Sequence, residues 1–244
     1  MDWAQLADVA TRLAGGLPTT LLLVGQSLLI GFVLAVLVAL MRVSPNPLLS
    51  APAYGFVYVF RSTPLLVQLF LIYYGSGQFR PFFQDVGLWF LFRDAWFCAI
   101  LALTLNTGAY TSEIIRGGIQ SVPHGQLEAG RAVGMSPSQL FRRITFPVAI
   151  RQALPAYGNE VILMVKASSL ASTITILEIT GIAKTIIAQT FRPVEVFIVA
   201  GALYLAINFV ATQAVGYAER RLSPASAADR AKAAERRQKA MLAR

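Results

Sequence analysis

Hydrophobic residues fall into five long runs, near residues 17–41, 53–75, 95–115, 153–174 and 196–217. From Leu13 through Met41 no side chain carries a charge, and an α-helix needs only about 20 apolar residues to cross the hydrocarbon core of a bilayer. Each run therefore reads as a membrane-crossing helix, and an odd number of crossings puts the chain ends on opposite sides. The first run is too long for the apolar region of a secretory signal and lacks its basic start, so it is expected to be retained. The fold expected is all-α, a polytopic membrane bundle of about five transmembrane helices.

Composition agrees. Of the 244 residues 56% are hydrophobic and 14% charged, against about 25% charged in soluble domains. The single cysteine, Cys98, lies inside the apolar run AWFCAILAL, so neither an intrachain disulfide nor a Cys/His metal cluster is expected. No internal period points to a solenoid. The organisation expected is a periplasmic segment 1–16, a membrane domain 17–221 containing a polar loop 117–151, and a basic tail 222–244.

The formal charge of +9 is better explained by membrane topology than by nucleic acid. Alternate connections place Arg12, Arg80, Arg93, Lys184 and Arg192 on the N-terminal side, five in all, and fourteen basic residues on the other. Lys and Arg accumulate on the cytoplasmic face. The N-terminus is thus expected outside, the C-terminus and the polar loop inside, and no nucleic-acid partner is expected. The tail reads as a solvated extension able to adsorb to anionic lipid.

Enzyme chemistry has little to work with. The chain has one histidine, His124, and no GxxxxGK[ST] phosphate loop, so no catalytic residue, resident metal or cofactor is expected. Ionisable groups within the runs are more informative, because a charge in mid-membrane is costly and faces an interior or a wet cavity. Arg61 precedes Pro64 in YVFRSTPLLVQLF and either faces a cavity or snorkels to the interface. Glu160 and Lys166 are six residues apart, about 120° around a helix, so they do not pair. Glu160 suits either a cationic solute or a charge on a neighbouring helix. Asn106 and Thr107 can hydrogen-bond between helices, while Glu113 and Arg116 have the spacing of a surface ion pair. Gly31, Ala35 and Ala39 form a small-residue stripe for close packing, within the bundle or against another subunit.

The loop QLEAGRAVGMSPSQLFRRITFP is patterned differently. Its first half favours a short helix that stops at Gly134. Ser136, Pro137 and Gln139 then supply an N-cap, a first-turn proline and a capping box for a second helix. Ala129, Ala132 and Val133 are expected on one apolar face, with Leu140, Phe141 and Ile144 on the next. Such a helix–corner–helix fits a shallow groove on a cytoplasmic partner, or is a plain interfacial connector.

Glu128-Ala129-Gly130, Gly134 and Ile144-Thr145-Phe146-Pro147 resemble the E-A-A-x3-G-x9-I-x-L-P loop of ABC importer permeases. Gly130 and Phe146 replace the usual Ala and Leu. The segments FRSTPLLVQLFLIYYG, LNTGAYTSEIIRGGIQSVPHGQ and ALPAYGNEVILMVKASSLASTITILEI extend the resemblance to the polar amino-acid permease family over most of residues 17–221. With RVSPNPL, FRDAWFCAILAL and EVFIVAGALYLAIN, the chain is most similar to M-type permease subunits of histidine/arginine/lysine/ornithine and octopine/nopaline uptake systems. The resemblance implies a type I importer architecture in the bacterial inner membrane. It also implies cytoplasmic ABC ATPase subunits that bind the ATP and magnesium, a second permease (a Q-type heterodimer partner, or an identical copy), and a periplasmic solute-binding protein. Glu128, Ala129, Gly130, Gly134, Ile144 and Pro147 would then form the ATPase-coupling loop. Arg61, Gln68, Asn159 and Glu160 are the candidate pathway residues for a polar, basic amino acid or opine. Two rival readings are a secondary amino-acid transporter, against which the lack of an inverted repeat argues, and a scaffold anchoring a cytoplasmic partner.

Overall fold

The computed structural model describes residues 3–222. Helix α1 (Trp3–Ala14) leads across Gly15 and Gly16 into α2 (Leu17–Val43), which is the first apolar run. A Cβ on Gly16 would stand 2.7 Å from the Ile179 nitrogen, so only glycine allows this junction to lie against the later chain. The described part of segment 1–16 is thus mostly helical, with Val9 and Leu13 buried.

The second run is not one straight span. Helix α3 (Pro47–Ser62) starts on the Asn46 cap and ends at Thr63, and α4 (Leu65–Gln78) departs at 103°. Pro64 explains the break: it has no N–H to donate, and it forces Thr63 into extended backbone, φ −112° and ψ 143°. Two short helices, α5 (Arg80–Asp85) and α6 (Trp89–Phe92), turn about Gly87 at φ +71°. They lead into α7 (Ala95–Gln120), capped by Asp94.

The polar loop forms α8 (His124–Ala132) and α9 (Pro137–Leu140). A π-helical turn, Phe141–Thr145, joins α9 to α10 (Phe146–Ala167). This wide turn precedes Pro147, whose ring would otherwise press on the carbonyl of Arg143 four residues back. The fourth run, expected as one helix over 153–174, instead starts at Phe146 and tightens into a 3₁₀ segment, Ser168–Ile174. Helix α11 (Ile179–Thr190) follows at 48°, in a stretch the hydrophobic pattern left as a connection. Helix α12 (Pro193–Leu222) ends the described chain. Beyond Leu222, the basic tail lies outside the described residues.

Two helical units, Trp3–Val43 and Pro193–Arg221, are long and apolar enough to cross a membrane, and there are four such units if each bent pair is one broken span. Helix α7 is a further long helix that carries the third apolar run: its 26 residues extend about 39 Å, with the run diluted by Thr104, Asn106, Thr107 and Thr111. It is the central post, because α2 packs along it. The stripe on α2 makes that contact within the chain: Ala35 and Ala39 are fully buried, and a Cβ on Gly31 would collide with Thr107.

Three cores result. One joins α2, α4, α7 and α10 through Leu23, Leu69, Leu103 and Met164; another joins α1, α11 and α12 through Leu13, Ile179, Ile186 and Val196; a small third joins α2 and α3 through Val38, Ala53 and Val57. Tyr204 and Ile207 border the first two. At this seam Glu178 is fully buried and caps α11, accepting from the Thr180 and Gly181 nitrogens at 3.0 and 2.8 Å and from the Tyr204 hydroxyl at 2.5 Å.

Candidate functional site

The break at Pro64 opens a cavity of about 240 Å³ against α7 and α10. Thr63, Pro64 and Leu65 form one wall, Asn106 and Tyr110 the second, and Glu160, Leu163, Met164 and Ala167 the third. This is smaller than the roughly 300–1,000 Å³ of sites for drug-sized ligands. Glu160 is 6% exposed and makes no ion pair among the described residues. Thr107 stands beside its carboxylate, with Oγ1 buried and outside ordinary hydrogen-bond geometry. The Glu160 carboxylate is thus buried at the cavity wall with no cation within ion-pair distance among the described residues.

The four candidate pathway residues separate into different roles. Glu160 lines the cavity. Arg61 is exposed and is not among the cavity-lining residues; its guanidinium lies 5.2 Å from the ring centroid of Tyr110, which does line the cavity. Gln68 is a buried strut rather than a lining residue. Its Nε2 donates to the carbonyls of Phe60 and Thr63 at 2.9 and 3.0 Å, the groups freed where α3 ends, and its Oε1 accepts from Asn106 Nδ2 at 3.0 Å. Asn159 is exposed and is not among the cavity-lining residues, because one residue along a helix turns its side chain by about 100° from Glu160. Tyr110 was missed; it lies one helical turn after Asn106, and that spacing is the signal that would have found it.

The loop has the local chemistry its sequence specifies. Gly134 adopts φ +80°, and Ser136 and Gln139 close a reciprocal capping box at 3.3 and 3.0 Å. Its packing differs from the amphipathic reading. Gly130 is the buried residue of α8, and a Cβ there would meet Leu140 Cδ1 at 2.5 Å and Ile144 Cδ1 at 2.9 Å. Glu128, Ala129 and Ala132 face outward with Val133, which is 74% exposed. Ile144 and Pro147 are half-buried, whereas Phe141 and Phe146 are exposed and face each other at 6.0 Å. The result is a firm corner with a shallow apolar groove of about 450 Å³, bordered by Ala129, Gly130, Val133, Met135, Ile144 and Val148.

At the loop end of α7, Glu113 accepts from Arg116 at 2.7–3.0 Å and from Arg42 at 3.2 Å. Arg42 also lies over the Tyr54 ring at 4.9 Å. The ion pair expected along α7 is therefore a three-residue cluster that ties α2 and α3 to it.

This architecture, with a broken apolar span, a cavity beside the break and a helix–corner–helix loop joining two of its walls, is that of a polytopic helical membrane protein. Residues 28–224 match the family described as binding-protein-dependent transport system inner membrane component, and the chain belongs to that family. It is 65% identical over 224 residues to the nopaline transport system permease protein NocM of Agrobacterium fabrum, covering 92% of this chain and 93% of that protein. It is 54% identical over 209 residues to the octopine transport system permease protein OccM of Rhizobium radiobacter, 86% and 85% covered. Identity to the histidine/lysine/arginine/ornithine transport system permease protein HisM of Escherichia coli K12 is 45% over 206 residues, 84% and 87% covered. The crystal structure of an amino acid ABC transporter with histidines superposes with a TM-score of 0.81 at 35% identity, over 91% of this chain and 99% of that one. The chain is a non-catalytic permease subunit of an ABC importer. Its family works in the inner membrane with an ATPase and a solute-binding protein.

Proposed function

We propose that the chain passes basic amino acids or opines across the inner membrane through a cavity in which Glu160 receives the solute's cationic end. Arg61, stacked beside the lining residue Tyr110, would meet the carboxylate end. The relatives named for nopaline, octopine and basic amino acids support this substrate class, and the unpaired Glu160 carboxylate supports it independently.

The observation that carries the mechanism is that the loop's two flanking helices both wall the cavity: α7 enters the loop and bears Asn106 and Tyr110, while α10 leaves it and bears Glu160. Glu128, Ala129, Gly130, Gly134, Ile144 and Pro147 form or brace the corner that docks on a cytoplasmic ATPase. ATP and magnesium are held by that ATPase. Closure of the ATPase dimer then moves α7 and α10 together as rigid levers, exchanging access to the cavity between the two faces of the membrane. Topology has the N-terminus periplasmic and the C-terminus cytoplasmic, and the second permease is a Q-type partner in a heterodimer.

The test of the site is uptake of labelled arginine and of a neutral polar amino acid by the transporter carrying Glu160→Gln. Arginine uptake is expected to fall by about tenfold or more, the scale of a lost charge-assisted hydrogen bond of roughly 1.5–3 kcal/mol, with discrimination against the neutral solute reduced. Unchanged uptake and selectivity at normal expression would remove Glu160 from the pathway.

A further inference from the structure

We propose that residues 79–94, between α4 and α7, are an interfacial lipid-binding segment seated in the bilayer leaflet around the N-terminal end of α7. The hydrophobic pattern treats this stretch as an aqueous connection, yet it reads FRPFFQDVGLWFLFRD. Phe79, Phe82 and Phe90 are each at least 60% exposed, and Val86 and Leu88 add to the same apolar surface.

These side chains are held outward by a folded scaffold. The Leu88 nitrogen donates to the Phe83 carbonyl at 2.8 Å across the Gly87 turn. The Phe83 and Phe92 rings meet at 4.2 Å, and the Phe92 carbonyl accepts from Cys98 Sγ at 3.3 Å. Water is a poor solvent for such a fixed cluster.

Depth and composition identify what covers it. Asn106 lies near the middle of the 26-residue α7, about 17 Å along it from Ala95, and a helix centred in the bilayer reaches the edge of a roughly 30 Å hydrocarbon core over that distance. The start of α7, and the segment joined to it, therefore lie where acyl chains meet headgroups. On α4, the helix that leads into the segment, Leu71 and Tyr74 are likewise 68% and 54% exposed. The Arg80 guanidinium lies 5.4 Å from the Trp89 ring centroid, a pairing suited to a level where indole favours the interface and a cation can meet lipid phosphate. Arg80 and Arg93 are balanced by Asp85 and Asp94, which leaves no net charge to steer a charged protein partner onto this surface.

The experiment is tryptophan quenching in the complete transporter, reconstituted in nanodiscs, with Trp89 the sole tryptophan of this chain (Trp3→Phe, Trp96→Phe). Signal from the other subunits is subtracted using a matched Trp89→Phe transporter. Lipids brominated close to the headgroup should quench Trp89 several-fold more than lipids brominated near the chain terminus, and acrylamide should quench it weakly. Strong acrylamide quenching without bromolipid quenching would place the segment in water and overturn the proposal. Shielding from both quenchers would place a protein there and overturn it equally. If the double variant does not assemble, the difference between the native transporter and Trp89→Phe reports the same residue.

Discussion

Glu160 and Asn159 are neighbours in sequence with opposite surroundings, one buried at the cavity and the other exposed. The pattern of charge in an apolar run singled out Glu160, because burying a carboxylate demands a reason. It could not separate Asn159, since about 100° of helical rotation matters only once the neighbouring helices are placed. Glycines show the same limit. Gly130 departs from the family's usual alanine, and its hydrogen makes room for Leu140 and Ile144. Those contacts are the mobile ends of side chains, so Gly130→Ala is expected to keep uptake within about twofold, the packing shift offset by roughly 0.5–1 kcal/mol of helix propensity. Gly130→Leu is expected to abolish uptake; parallel uptake assays of the two variants check this. Gly158 is tighter, because a Cβ there would collide with Val215 of α12. Gly158→Val is expected to cost about 1–3 kcal/mol, read as a lower melting temperature in detergent.

At the scale of elements, features encoded by adjacent residues were legible. The loop's αL corner and capping box were readable because both are set within a few residues. Ser136→Ala should lose about 1 kcal/mol of local stability, seen as faster amide exchange in residues 136–141 with the spans unaffected. The direction of helices after a break was not legible: Pro64 announced an interruption, but the 103° turn depends on Gln68 and Asn106 bonding across it. Helix α11 was missed for a related reason. Its cap Glu178 resembles a loop residue until Tyr204, 26 positions later, is seen donating to it. Tyr204→Phe removes one bond to that buried carboxylate and is expected to lower stability by about 1–3 kcal/mol, measured by thermal unfolding in detergent.

For the whole molecule, five apolar runs and their order follow from hydrophobicity, whereas the arrangement of three cores depends on contacts far apart in sequence. The basic-residue asymmetry is expected to place a C-terminal reporter in the cytoplasm; an alkaline phosphatase fusion active at that end would reverse the topology. The central claim is that the loop transmits the ATPase's motion to the cavity through α7 and α10. Gly134→Asp strains the corner at φ +80° and sets a charge on its outer face while leaving the spans untouched. In proteoliposomes with the ATPase, second permease and binding protein, this variant is expected to insert normally yet lose both uptake and substrate-stimulated ATP hydrolysis. Coupled transport at the native rate would contradict that claim.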